Sequence, residues 1–466
     1  MSLFMLLPLL LAIWHDSTNI PAFLISAGCT AALGMLCIAV SPKEIARLSV
    51  RQMFMMTAIN WLAVTTVASF PLILSEPHLS LVDALFEATS GITTTGSTVI
   101  VGLDQWPHDL LLWRSLVQWL GGLGIIGMAV FLFPFLRIGG MRLFQTESSD
   151  WTEISAAKVR RVAYDVALIY LILSASAFVC YHLLGMNWFN AINHALTTIS
   201  TGGFSTSDTS FDQFHSQGLM WAAMIFMMAG SIPFVLYMQS VRQRRYNLLR
   251  DQQVRGFLKF ILIICVGLTA YRVLFTDAGN LLSVFTSTSF NLISVITTTG
   301  YATEDYTLWG SGPLIVIFCA MFVGGCAGST AGGIKIFRFQ LLSLLFSEHL
   351  TKAMHPVVAI KRHYNRRAVS DEILVSLVFY LSTVAMSLIA VAVGLAITGI
   401  DPITSVSGAL TALMNVGPGF GDVVGPVGNF SSLNPTAKLL LCFAMLLGRL
   451  EFLSMIVLLT RSYWKW

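Results

Sequence analysis

Long apolar stretches recur along this chain, and between the members of each pair lies a shorter stretch that ends in small polar residues and a glycine. Runs of spanning or near-spanning length cover 52–75 and 110–136, 162–186 and 218–238, 257–275 and 312–323 with a broken continuation, and 373–399 and 437–460. Stretches such as "LILSASAFVCYHLLGM" have helix length and lack the alternation of a barrel strand, so the pattern predicts a bundle of membrane helices. A further hairpin is expected over 1–40. Its opening "MSLFMLLPLLLAIWH" has neither a basic region nor a small-residue cleavage site, and it is read as a retained, rather short helix.

The interrupting stretches align on their glycines as "DALFEATSGITTTG" (83–96), "NAINHALTTISTGG" (190–203), "STSFNLISVITTTG" (287–300) and "TSVSGALTALMNVG" (404–417). Each is too short to span and apolar enough to enter the membrane and return, as a re-entrant half-helix does. Span, half-helix, turn and span are therefore used four times. A period of about one hundred residues is too long for a solenoid and fits duplication of a two-span unit. The expected fold is all-α and membrane-integral. A hairpin at 1–41 precedes four pseudo-symmetric helix–pore loop–helix repeats at 42–145, 146–250, 251–346 (its second helix broken) and 347–466, set around a central pore.

Composition agrees: of 466 residues 56% are hydrophobic and only 11% charged, about half the charge of a soluble domain. The seven cysteines sit almost wholly in apolar runs without paired spacing, which points to neither a disulfide framework nor a zinc site. Lys and Arg cluster at 41–51, 137–161, 241–259, 335–367 and in the last six residues, while 76–112, 187–219, 278–313 and 400–437 contain none. Those bare stretches carry acids, among them Glu87, Asp104, Asp208, Glu304 and Asp422. By the positive-inside rule the basic segments and both termini are cytoplasmic, and the glycine segments lie toward the outer side.

A dehydrated potassium ion needs oxygens on all sides, and four extended loops presenting backbone carbonyls and threonine hydroxyls supply rings of them. Glycine tolerates the backbone such a loop requires, and the negative ends of four half-helices favour a cation. The candidate ligands are Thr94, Thr95 and Gly96, then Thr201, Gly202 and Gly203, then Thr298, Thr299 and Gly300, then Asn415, Val416 and Gly417. One such stretch alone is a polar turn. Four in register, each between spanning runs and free of positive charge, are quarters of a selectivity filter.

Together "TTTGSTVIVGLDQWPH", "QWLGGLGIIGMAV", "TGGFST", "FVGGCAGSTAGGIK", "NVGPGFG" and "LLGRLEF" make the chain resemble, over nearly its whole length, the membrane subunits of the Trk/Ktr/HKT superfamily of potassium transporters, most closely the TrkH/TrkG type. The resemblance implies one filter glycine per repeat, and Ala302 stands where the channel motif T-x-G-Y-G has its second glycine. It also implies an arginine in the permeation path, here Arg449. It implies an intramembrane gating loop, here Gly324, Gly325, Gly328, Ser329, Thr330, Gly332, Gly333 and Lys335, with Ala331 in place of a further glycine. So many glycines cannot continue a helix, and irregular backbone at membrane depth must face protein or water. Against these readings stand a close-packed glycine face for the loop and an interhelical ion pair for the charges, with Glu451 the natural participant. The resemblance further implies K⁺ as the permeant ion, a homodimer, a bacterial inner membrane, and a cytosolic RCK-type regulator (TrkA- or KtrA-like) that binds NAD or ATP and docks on the basic loops.

The expected function is potassium uptake through this pore. The alternatives are the potassium-translocating subunit of a P-type ATPase complex, which shares the four-repeat plan, and an intramembrane enzyme. No H-E-x-x-H or G-x-S-x-G is present, and His194 is matched in the other repeats by Glu87, Asn291 and Gly408, so the chain reads as a non-enzyme. Gly122, Gly124 and Gly127 with Glu147 satisfy a dinucleotide-binding spacing, yet they fall inside an apolar span with no preceding strand and read as helix packing. Asp165 is the one weak candidate for a coupling carboxylate.

Overall fold

In the computed structural model, residues 1–41, 49–131, 156–243, 248–276, 280–358, 360–365 and 367–465 are described. Helix α1 (Ser2–Trp14) and α2 (Ile20–Val40) form the N-terminal hairpin. Long helices α3 (Val50–Leu74), α5 (His108–Phe131), α6 (Ala156–Leu183), α10 (Gln252–Phe275) and α14 (Asp371–Ile397) have the length and hydropathy to cross a bilayer. Large apolar side chains on them are left uncovered, such as Leu62, Ile263, Met386 and Ile389, as a lipid-facing surface requires.

The four short helices lie inside that shell: α4 (Leu81–Ile92), α7 (Trp188–Ile199), α11 (Leu281–Ile296) and α15 (Pro402–Met414). Each starts at a polar N-cap whose side chain accepts a backbone N–H of the first turn: Ser80 from Asp83, Asn187 from Asn190, Asn280 from Leu282 and Asp401 from Thr404. All four helices are buried toward their C-terminal ends, and from Thr288 to Thr299 every residue is buried. A helix end in such a place is tolerated only because the following segment takes up its carbonyls.

The second helices of repeats 2 and 4 depart from the expected continuous spans. The break after α12 (Ser311–Met321) was foreseen, and the chain resumes as α13 (Ile336–Met354). The run 218–238 is also broken, into α8 (Gln217–Gly230) and α9 (Phe234–Gln243), bent by 88° across Ser231–Pro233. Pro233 has no N–H for the ladder and its ring crowds the preceding turn. The run 437–460 is split into α16 (Pro435–Arg449) and α17 (Leu453–Leu459), bent by 118°. There Glu451 and Phe452 adopt positive φ of 59° and 51°. Arg449 thus ends α16 and Glu451 lies in the break itself, instead of both sitting mid-span.

Candidate functional site

The four glycine segments meet. After each short helix one residue turns into the left-handed region: Thr94 (φ 52°), Thr201 (51°), Thr298 (56°) and Asn415 (54°). The next residue returns to ordinary backbone, and the glycine is left-handed again at Gly96 (φ 89°), Gly203 (78°), Gly300 (85°) and Gly417 (106°). Three of the four first turns are made by threonine, a β-branched residue for which this conformation costs about 1–3 kcal/mol and persists only where the surroundings enforce it. Sequence reasoning credited the glycines with this freedom and missed the threonines.

The segments close into a ring. A Cβ built on Gly96 would lie 2.3 Å from the Gly202 carbonyl oxygen, one on Gly203 1.8 Å from that of Thr299, one on Gly300 2.3 Å from that of Val416, and one on Gly417 2.9 Å from that of Thr95. Each repeat's glycine therefore faces the carbonyl that precedes the glycine of the next repeat, and the fourth faces the first. Side-chain bonds tie the same neighbours: Asn415 Nδ2 donates to Thr95 Oγ1 at 3.0 Å, and Ser97 Oγ to the Gly417 carbonyl at 2.9 Å. Beyond Gly300 the extended segment leaves this arrangement, because the Ala302 carbonyl accepts the Phe211 N–H at 3.1 Å. One glycine per repeat is consistent with that.

Behind the ring, the residue shared by position among the short helices braces its own segment in three chemistries. Glu87 accepts from Thr98 Oγ1 and the Val99 N–H and is held by Arg114 Nε at 2.7 Å. Asn291 accepts the Thr303 N–H at 3.2 Å, and His194 Nε2 lies 3.2 Å from Ser205 Oγ. His194 is accordingly a strut, which explains its burial without any catalytic role. Tyr301 reaches back to the second repeat, its hydroxyl 2.6 Å from Thr197 Oγ1 and 3.2 Å from Thr198 Oγ1. Removing that hydroxyl with Tyr301→Phe is expected to cost about 1 kcal/mol of local order and a few-fold in potassium-over-sodium preference, read by ion competition in an uptake assay. An unchanged preference would show that this strut does not set the ring.

Directly beneath lies the glycine-rich loop. Short parallel strands β1 (Val323–Gly324) and β2 (Ile334–Lys335) close it at its base. The Gly332 N–H donates to Thr298 Oγ1 at 2.6 Å and the Gly333 N–H to the Met414 carbonyl at 2.8 Å, so the loop is bonded to two of the ring-forming segments. Thr330 Oγ1 donates to the carbonyls of Ile199 and Gly230 at 3.0 and 2.9 Å, and Ser329 Oγ to that of Cys326 at 2.6 Å. Gly325 packs against Ser231, where a Cβ would come within 2.9 Å, and the Gly328 carbonyl accepts the Phe234 N–H at 3.0 Å. The loop is thus an irregular segment held by main-chain and side-chain hydrogen bonds, and not a packed glycine face on a continuing helix.

Both cations expected here touch it. Arg449 Nη2 donates to the Thr330 carbonyl at 2.9 Å, and buried Lys335 donates from Nζ to the carbonyls of Ala331 and Gly332. Glu451 takes the other role weighed from the sequence: its Oε2 pairs with Arg338 Nη2 at 2.7 Å, with the guanidinium carbon 3.7 Å from the Tyr380 ring centre. Between the loop, Asn415, Gly448 and Arg449 remains a cavity of about 10 Å³, the size of one water. Asp165 is ion-paired with Arg242. Gly122 and Gly124 lie within α5, where a Cβ on Gly122 would sit 2.5 Å from the Tyr170 hydroxyl, which is helix packing; Glu147 lies outside the described residues.

A four-repeat helical bundle whose short helices converge on a ring of backbone oxygens is the architecture of an ion-conducting membrane transporter. The chain belongs to the TrkH family of cation transport proteins, whose profile matches residues 21–465, and it is a transport protein, not an enzyme. It is 42% identical over 466 residues to the Trk system potassium uptake protein TrkI of Halomonas elongata, covering all of this chain and 94% of that one. It is 33% identical over 430 residues to the Trk system potassium uptake protein TrkH of Escherichia coli K12, covering 91% and 88%. The crystal structure of the potassium transporter TrkH from Vibrio parahaemolyticus superposes with a TM-score of 0.92 at 29% identity over 100% of this chain and 96% of that one. The ATPase-subunit reading of the sequence gives way to this family.

Proposed function

We propose that this protein takes up potassium through the central ring, with Thr94 to Gly96, Thr201 to Gly203, Thr298 to Gly300 and Asn415 to Gly417 as its selectivity filter. The closed cycle in which each glycine meets the next repeat's carbonyl carries the reading, since it puts four equivalent oxygen-bearing strands side by side around one axis. K⁺ is then the permeant ion, and the membrane potential drives it inward by about 2.3 kcal/mol per charge per 100 mV. The repeats are taken as 42–145, 146–250, 251–346 and 347–466. By the positive-inside rule the basic segments support cytoplasmic termini and cytoplasmic loops between repeats, and the family resemblance supports a bacterial inner membrane and an RCK-type nucleotide-binding regulator docked on a homodimer.

The loop from Gly324 to Lys335 is the gate in this reading, and Arg449 is its latch as well as a positive barrier in the path. The bond to the Thr330 carbonyl supports the latch. Radioactive rubidium uptake into liposomes holding the purified chain tests it. Arg449→Ala removes a charge-assisted hydrogen bond of about 1.5–3 kcal/mol, so flux is expected to rise about tenfold or more. Flux at the wild-type level with a selective, conducting wild type would mean that other contacts hold the loop.

A further inference from the structure

One position breaks the symmetry of the ring. The residue before the glycine is Thr95, Thr299 and Val416 in three repeats, all β-branched, and Gly202 in the second. Backbone freedom does not require glycine there, since only the following Gly203 is left-handed. In repeats 1 and 3 the threonine side chain pins the strand to the end of its own helix, Thr95 Oγ1 lying 2.7 Å from Thr93 Oγ1 and Thr299 Oγ1 2.8 Å from Thr297 Oγ1. Repeat 2 has no such bond to make: Ser200 Oγ donates back to its own helix at the Thr197 carbonyl, as Thr93 and Thr297 also do in theirs, but no side chain at 202 meets it.

The empty place is filled from outside the repeat. Gln118, on α5 of the first repeat and fully buried, has its Cδ and Oε1 each 2.4 Å from where a Gly202 Cβ would stand. Its Nε2 donates to the Gly202 carbonyl at 2.7 Å, and its Oε1 accepts the Phe204 N–H at 3.0 Å, so one amide clamps the strand on both sides of Gly203. Turning the amide over would set oxygen against the carbonyl and nitrogen against the N–H, so only this orientation satisfies both. We propose that Gln118 is a filter-positioning residue that sets ion preference by standing in for the side chain the second repeat lacks. The carbonyl it holds is the one Gly96 faces, so it fixes the junction between repeats 1 and 2.

This rests on the filter reading above. The test is displacement of bound radioactive rubidium by sodium on the purified full-length protein, which needs no open gate. Gln118→Met keeps the length and can neither donate to the Gly202 carbonyl nor accept from the Phe204 N–H; the sodium concentration that displaces rubidium is expected to fall about fivefold or more, the scale of a lost buried hydrogen bond. Gly202→Thr alone collides with Gln118 and is expected to lose rubidium binding. Gln118→Ala combined with Gly202→Thr, which rebuilds the arrangement of repeats 1 and 3, is expected to restore binding and preference toward wild type. Wild-type displacement in Gln118→Met, or a double variant no better than its singles, overturns the proposal. Gly300→Ser serves as the filter control. If it too leaves displacement unchanged, the filter reading falls and this inference with it; if it alters displacement while the Gln118 variants do not, only the inference falls.

Discussion

Gly203→Ala is expected to reduce rubidium uptake to less than about a tenth of wild type while the chain still inserts and stays monodisperse in detergent. Two effects combine. The added methyl must adopt φ near 78°, and it would stand 1.8 Å from the Thr299 carbonyl oxygen, with the Gly300 carbonyl carbon also within 3.4 Å. The first costs about 1–2 kcal/mol. The second cannot be met by moving a flexible side chain, because the obstacle is backbone of the neighbouring strand, and moving it displaces an oxygen of the ring itself. Gly185 separates the two effects: its φ is 107° and nothing lies within 4 Å of a Cβ there. Gly185→Ala should therefore carry the conformational cost alone and transport normally. Equal transport by the two variants would show that the cross-strand contact does not support the path.

Glu451→Ala is expected to destabilise the protein by about 3–5 kcal/mol, because Arg338 is wholly buried and would keep its charge without this carboxylate. The loss is read as a lower unfolding midpoint in detergent, followed by size-exclusion chromatography after heating. Replacing both partners by apolar residues of similar size, Arg338→Met with Glu451→Leu, should recover most of the loss, since removing a buried pair is far cheaper than halving it. The pair joins α13, which continues from the loop, to the break after α16. Its disruption should therefore also change the loop-dependent rubidium flux. A midpoint unchanged in Glu451→Ala would mean that Arg338 is held by its Tyr380 stacking and other neighbours alone.

The glycine of each segment could be found by counting, because a repeated half-polar stretch between apolar runs is a local signal. The carbonyl each glycine faces could not. Nor could Gln118 be singled out: it is one polar residue in a span, and its partner lies 84 positions away in another repeat. Tyr301 was visible only as the last letter of a motif, and its bonds run to a helix more than a hundred residues earlier. His194 attracted attention as a possible catalytic group because histidine is chemically conspicuous. Its positional counterparts Glu87 and Asn291, which do the same bracing with other chemistry, gave no common signal in residue type.

The breaks divide in the same way. The one over 324–333 was legible because five glycines in ten residues oppose a helix wherever they occur. Those at Ser231–Pro233 and at Glu451–Phe452 fell inside runs that still read as apolar and helical. At the second no glycine or proline stands in the turn itself, and the positive φ of Glu451 is maintained beside its ion pair with Arg338, 113 residues upstream. The sequence by itself determined the membrane class, the fourfold repetition and the loop that cannot be helical, because apolar length and glycine content act locally. The tertiary structure alone decided the closure of the ring, the struts behind it and the cations on the loop. The ring closure and the bonds of Gln118, Tyr301 and Arg449 join residues far apart in the chain, and the struts within each segment come to stand behind the ring only once the repeats surround a common axis.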